Sequence, residues 1–316
     1  MRIRTPLLTT ALVWACSSAI AQTPAQGTSG ETPAKPKSAQ EIIDAAPASA
    51  WRTLDPANTL YLELATGRVI IELAPTFAPA HVANIKALAQ DGYWDGLSIN
   101  RSQDNFVVQW GDPAEDEKAR KPLSRKVKAK LPVEFTRSAD KLAFDHLPDA
   151  DGWAREVGFS DGFAAGRDPQ KGEAWLAHCY GTVGAGRDVA ADSSNGTELY
   201  VVTGQSPRQL DRNITLVGRV VQGIELLSVL PRGTGPLGFY EKAEQRVPIK
   251  SIRLASALPS KERVVLQALR TDSKSFADAV EARRNRRDDW YKVPAGHIDL
   301  CNVSLPVRKP PSTAKK

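Results

Sequence analysis

Residues 93–113, YWDGLSINRSQDNFVVQWGDP, decide how the rest of the chain is read. Gly92-Tyr93-Trp94-Asp95-Gly96 is turn chemistry, with glycines where the backbone needs unusual dihedrals. Phe106-Val107-Val108 is a short apolar, β-branched run with the composition of a buried strand. Arg101 and Gln109 flank that run, and Gly111-Asp112-Pro113 closes it with a second turn. A polar pair thus brackets a hydrophobic floor. Such an arrangement suits a groove that holds an apolar ring and aims a guanidinium at it.

Working outward, Thr59–Leu64 and residues 68–73 read as two strands, with Ala65-Thr66-Gly67 marking a hairpin. Pro79 opens a helix at its favoured first position. Val82, Ile85 and Leu88 recur at helical spacing, and Gly92 stops it. Downstream, residues 174–180, 197–203, 216–221 and 247–254 read as strands, 181–196 as a polar, glycine-rich loop, and 223–227 as a second helix start. The expected fold is mainly β: a closed antiparallel β-barrel capped by two helices.

The 93–113 stretch resembles the signature of the cyclophilins, the peptidyl-prolyl cis-trans isomerases. There a glycine-aromatic turn leads to an arginine, followed by a Phe, a hydrophobic residue, a Gln and a Gly-Asp-Pro-like turn. Arg101, Phe106, Gln109, Gly111 and Asp112 stand at matching positions, and Ala78-Pro79-x-x-Val82-x-Asn84 resembles the family's helix entry. The resemblance spans roughly 58–254 once 114–172 is set aside as an insertion on the barrel rim. It implies a prolyl isomerase acting on proline-containing unfolded or flexible polypeptides, with no cofactor and no metal. Arg101 would donate to the prolyl nitrogen, and Gln109 would hold Arg101 or the substrate backbone. Phe106, Val107, Tyr200 and Leu210 would line the proline pocket. The Asn195-Gly196-Thr197 loop would meet the peptide. Departures from the family pattern are Ile99-Asn100 for Phe-His, Val107 for Met, Trp110 for Gly, Tyr200 for Phe, Gln209 for Trp and Ile214 for the pocket His. The alternative reading is a non-catalytic peptide-binding or chaperone module on the same barrel.

The termini carry other signals. Residues 1–21 place Arg2 and Arg4 before an apolar run and end in Ala19-Ile20-Ala21, the layout of a secretory signal peptide. This predicts a periplasmic protein. Val13-Trp14-Ala15-Cys16 offers a second route, lipid anchoring through Cys16. Residues 22–50 read as a flexible linker, although Ser38-Ala39-Gln40-Glu41 has capping-box spacing and could start a short helix. Residues 51–255 form the cyclophilin-like domain and 256–316 an extension. In the extension Val264, Val265, Ala268, Leu269, Phe276 and Val280 have helix-like spacing. Beyond Cys16 the chain has Cys179 and Cys301, which either pair in an oxidising compartment or stay as separate buried thiols.

The remaining features exclude more than they assign. A net charge of +6 with 36 acidic residues is too mild to argue for nucleic acid, and no nucleic-acid motif accompanies it. Past the leader no stretch is apolar enough to span a bilayer. His81, His146, His178 and His297 lack metal spacing. His178 and Cys179 are neighbours on an expected strand, so they point to opposite faces. Gly181 to Gly186 (GTVGAG) lacks the Lys-Ser/Thr of a phosphate loop. The basic run 118–130 reads as a solvated face.

Overall fold

Strands buried on both faces build the main sheet. In Gly67–Leu73, Val69, Ile71 and Leu73 enter one core while Ile70 packs on the opposite face with Tyr61, Leu54, Leu266 and Ala268. Both faces are covered, so the run reads as continuously apolar rather than alternating. The computed structural model describes residues 36–114, 116–288 and 290–311. The leader, Cys16 and most of the expected linker lie outside the described residues.

Nine strands are ordered Val247–Pro248, Ser98–Ser102, Val107–Gly111, Leu199–Val202, Thr182–Ala185, Leu216–Gln222, Gly67–Leu73, Thr59–Leu64 and Ser251–Leu254, with every neighbour antiparallel. The first and last are two halves of one stretch. Ile249 N donates to Leu97 O and Lys250 N to Glu63 O, so this stretch joins both edges of the sheet and closes it. Closure leaves no exposed edge. The interior is packed with Leu60, Leu62, Ile71, Ile99, Val108, Trp110, Val201 and Ile252, and the Pro79–Gln90 helix adds Val82, Ile85 and Leu88. Glu134, from the 114–172 segment, caps this helix. Its carboxylate accepts from Ala80 N (2.8 Å), His81 N (2.9 Å) and His81 Nδ1 (2.7 Å).

Several expectations need correction. Residues 114–172 are not a simple rim insertion. They supply Arg137–Ser138, Asp145–Leu147, Glu156–Ser160 and Phe163–Asp168, which form a second sheet with Glu173–Leu176, a strand expected in the barrel. The barrel instead takes Thr182–Ala185 from the stretch read as loop. In the extension, helical spacing gives way to Gln267–Leu269, a strand pairing with Trp51–Thr53, and a helix begins only at Lys274–Arg284. Leu266 and Ala268 face Tyr61 and Ile70 at period two, and the edge at Trp51–Thr53 needs backbone partners. Part of the 22–50 linker is also ordered: Ala39–Asp44 is a helix with the Ser38–Glu41 capping box.

The second sheet is covered on both sides. Phe163, Ala165, Ala174 and Leu176 pack with Val107, Tyr200 and Val202 on the barrel's outer wall. Val157 and Phe159 pack with Phe276, Val280 and Leu300 of the extension. A disulfide joins Cys179 to Cys301 across 122 residues of sequence and lies in that second cluster. Replacing both cysteines by Ala should lower stability by about 2–4 kcal/mol, because the unfolded chain regains the freedom of a long loop. Urea unfolding of the oxidised protein and the double variant checks this. Equal midpoints would contradict it.

Candidate active site

Arg101, Phe106, Val107, Gln109 and Tyr200 come together on the outer wall of the barrel. The register opposes Arg101 to Gln109 and Gln109 to Tyr200 on adjacent strands. A shift between Ile99 and Arg101 lets Ile99 enter the core while Arg101 turns outward.

The Arg101 guanidinium is held on three sides. Nη1 donates to Gln109 Oε1 at 3.0 Å, Nε to Leu237 O at 2.7 Å, and Nη2 to Gln103 Oε1. It sits 5.5 Å from the Phe106 ring centre and 5.3 Å from that of Phe239. Burial draws its pKa below the ordinary arginine value, and the nearby Tyr200 opposes this. Each terminal nitrogen keeps one N–H that makes no hydrogen bond among the described residues. Leu237 and Phe239 come from a loop the sequence did not single out. Gly233 N bonds Ser102 O and Tyr240 N bonds Asn100 O, which pins that loop along the Arg101 strand.

Tyr200 is buried, and its ring lies over Gly184. A Cβ there would sit 2.2 Å from the ring, so this strand position must be glycine. The Tyr200 hydroxyl meets His178 Nε2 at 2.8 Å. His178 Nδ1 and backbone N both meet Asp211 Oδ1 at 2.9 Å, and Arg208 Nε donates to Asp211 Oδ2 at 2.6 Å. The rest of the Arg208 fork grips Asp151 of the inserted segment at 2.9 and 3.1 Å. The sequence carries no local signal for this buried chain, because its members are scattered along it. Cys179 is in the disulfide.

Two further expected site residues, Leu210 and Asn195, make other contacts. Leu210 is on the Arg208–Leu210 turn and is not a member of the apolar cluster of Phe106, Val107 and Tyr200, whereas Ile214 packs against it. The Asn195 side chain is taken up by its own loop and the 114–172 segment, accepting from Thr197 N (3.1 Å) and Thr197 Oγ1 (2.7 Å) and donating to Ala129 O (3.3 Å). Its carbonyl takes a bond from Asn84 of the helix at 2.7 Å.

Comparison with known proteins agrees with this geometry. The sequence model of the cyclophilin type peptidyl-prolyl cis-trans isomerase matches residues 59–254. The chain belongs to the cyclophilin family. It is therefore an enzyme of the peptidyl-prolyl cis-trans isomerase class. A Brucella suis protein named "Probable peptidyl-prolyl cis-trans isomerase" is 28% identical over 180 residues, 57% of this chain and 74% of that protein. Peptidyl-prolyl cis-trans isomerase-like 1 of Homo sapiens is 27% identical over 217 residues, 68% of this chain and 98% of that protein. The crystal structure of the cyclophilin AquaCyp293 from Hirschia baltica matches with a TM-score of 0.64 at 27% identity, covering 82% of this chain and 92% of that one. That share exceeds what residues 59–254 make up, so the likeness to this cyclophilin runs past the family domain. Among the described residues, no helix is long and apolar enough to cross a membrane and no cluster of three acidic, His or Cys side chains could hold a metal.

Proposed function

We propose that this cyclophilin isomerises Xaa-Pro bonds in unfolded or flexible exported polypeptides, with Arg101 as the catalytic donor. Rotation about a peptide bond breaks its resonance, a barrier of about 18–20 kcal/mol. In the twisted state the prolyl nitrogen becomes pyramidal and gains a lone pair that the planar amide lacks. A donor aimed at that lone pair stabilises only the twisted state, so it lowers the barrier without tightening ground-state binding. No nucleophile, proton relay or metal is required. The observation that carries this reading is the Arg101 guanidinium, fixed by Gln109, Gln103 and the Leu237 carbonyl beside the Phe106 ring. The proline ring would rest on Phe106, which the buried Val107 and Tyr200 support from behind, with Ile214 in place of Leu210 at the packed wall.

Export is supported by the leader-like residues 1–21 and by the Cys179–Cys301 disulfide, a bond that persists in oxidising compartments. The mature chain would start near Gln22. N-terminal sequencing of protein recovered from the periplasm should read from that residue. A lipid-modified Cys16 start, or a full-length cytoplasmic chain, would contradict it. A protease-coupled assay on a neutral Xaa-Pro peptide tests the activity. Accelerated, saturable isomerisation is expected. Binding without acceleration would favour the peptide-binding module instead.

A further inference from the structure

Beyond Gln109 lies a carboxylate that the reaction as described does not use. Glu198 precedes Leu199–Val202 and lies across the Val107–Gly111 strand. Its carboxyl occupies the space a side chain at Gly111 would fill: a Cβ there would fall 2.3 Å from it. Gly186 clears the other flank, where a Cβ would come within 3.1 Å of Glu198 Cβ. Two glycines thus make a slot that delivers Glu198 Oε2 to Gln109 Nε2 at 3.3 Å. The opposite end of the same amide, Oε1, accepts from Arg101.

We infer that Glu198 is a positioning residue, whose ionised carboxylate fixes the Gln109 amide so that its carbonyl holds Arg101. This rests on the isomerase reading above. An ionised carboxylate only accepts, so it leaves the amide one favourable orientation, NH2 to Glu198 and C=O to Arg101. A protonated carboxyl also carries a donor and bonds the amide in either orientation. In the flipped one Nε2 faces the guanidinium, donor against donor, and Arg101 loses a partner.

The charge state of Glu198 is poised near neutrality. Burial pushes its carboxyl up to about 7, the bond from Gln109 working against this. Arg120 from the segment after the barrel turn favours ionisation. Asp112 from that turn and Asp188 from the loop after Thr182–Ala185 oppose it. Tyr93 faces the same groups and is pushed up to about 12, first by its own burial, so it stays neutral throughout this range.

The test is the pH dependence of isomerisation of an uncharged Ala-Pro peptide by wild type and Glu198→Gln. Wild-type kcat/KM should fall about five- to tenfold between about pH 8 and pH 6, roughly the worth of one ordinary hydrogen bond, with KM nearly constant. Glu198→Gln, which both donates and accepts at every pH, should be flat and stay near the wild-type level of pH 6. A flat wild-type profile, or the same slope in both proteins, would overturn the assignment. NMR titration of the Gln109 side-chain amide and Arg101 Nε–H supplies a readout independent of turnover. Both signals should shift with a midpoint near 7 in wild type only. If they do so in a protein that catalyses nothing, the coupling stands and the isomerase reading falls. If neither signal titrates, the coupling is wrong whatever the activity.

Discussion

Arg101→Ala should lower kcat/KM for a neutral Xaa-Pro peptide by about 10²–10³, the usual consequence of removing one preorganised donor from a transition state. The loss should fall on kcat, because the lone pair that Arg101 would address is localised on nitrogen only while the amide is twisted. Affinity should change little, since the partly exposed Phe106 ring and the apolar cluster behind it remain. Arg101→Lys should recover little activity. Three protein acceptors, Gln109 Oε1, Gln103 Oε1 and Leu237 O, surround a planar fork, and a mobile ammonium cannot satisfy them while keeping a fixed direction. A loss shared equally between KM and kcat would mean that the arginine binds rather than catalyses.

The second large effect is on stability. Asp211→Ala should destabilise the protein by about 3–5 kcal/mol, as expected when one partner of a buried charge network is removed. Asp211 is buried and takes bonds from His178 N, His178 Nδ1 and Arg208 Nε, so its loss leaves the buried His178 and one edge of the Arg208 fork without an acceptor, the other edge keeping Asp151. Burial would raise the Asp211 pKa, but the bonds from His178 and the charge of Arg208 outweigh it and hold the carboxyl below the ordinary range. A depressed carboxyl stabilises the fold above its unfolded pKa, and that contribution is lost as pH falls through the folded value. The gap between wild type and Asp211→Ala should therefore be constant from about pH 5 to pH 8 and close below about pH 4. Urea unfolding at several pH values measures it. A gap under about 1 kcal/mol at neutral pH would show that the network contributes little. Tyr200→Phe, which restores the residue usual in the family, should cost only about 1–2 kcal/mol by leaving His178 Nε2 without its hydroxyl.

These two residues also mark how far the sequence could be read. Arg101 and Gln109 were legible because one short hairpin carries both, and its register sets them opposite each other. The Thr59–Leu64 hairpin and the Pro79–Gln90 helix were legible through local periodicity. The Thr182–Ala185 strand was not. Its Gly184 looks like a loop residue until the Tyr200 ring is seen to need the space above it. The second sheet escaped because its strands are short, separated by Gly and Asp turns, and stabilised by long-range burial against both the barrel and the extension. Asp211, Arg208 and Asp151 are ordinary polar residues in sequence. Only the fold brings them to His178. Helix-like spacing around Val264 to Leu269 gives way because a short, nearly continuous apolar run suits a strand covered on both faces as well as a helix, and the partner strand decides.

The inserted segment does more than decorate the barrel. Asp151 anchors Arg208, Arg208 braces Asp211, and Asp211 orients His178 against the Tyr200 hydroxyl at the edge of the site. A cyclophilin with Phe at that position has no hydroxyl to place. Here the hydroxyl and the segment that fixes it occur together.

The most direct test of the catalytic assignment is exchange NMR on an Ala-Pro peptide with wild type and Arg101→Ala side by side. One titration reads both the cis-trans exchange rate and the affinity. Wild type should speed exchange at catalytic concentration, and Arg101→Ala should bind with similar affinity while exchange drops by about two orders of magnitude or more. Equal exchange rates in the two proteins would contradict the account.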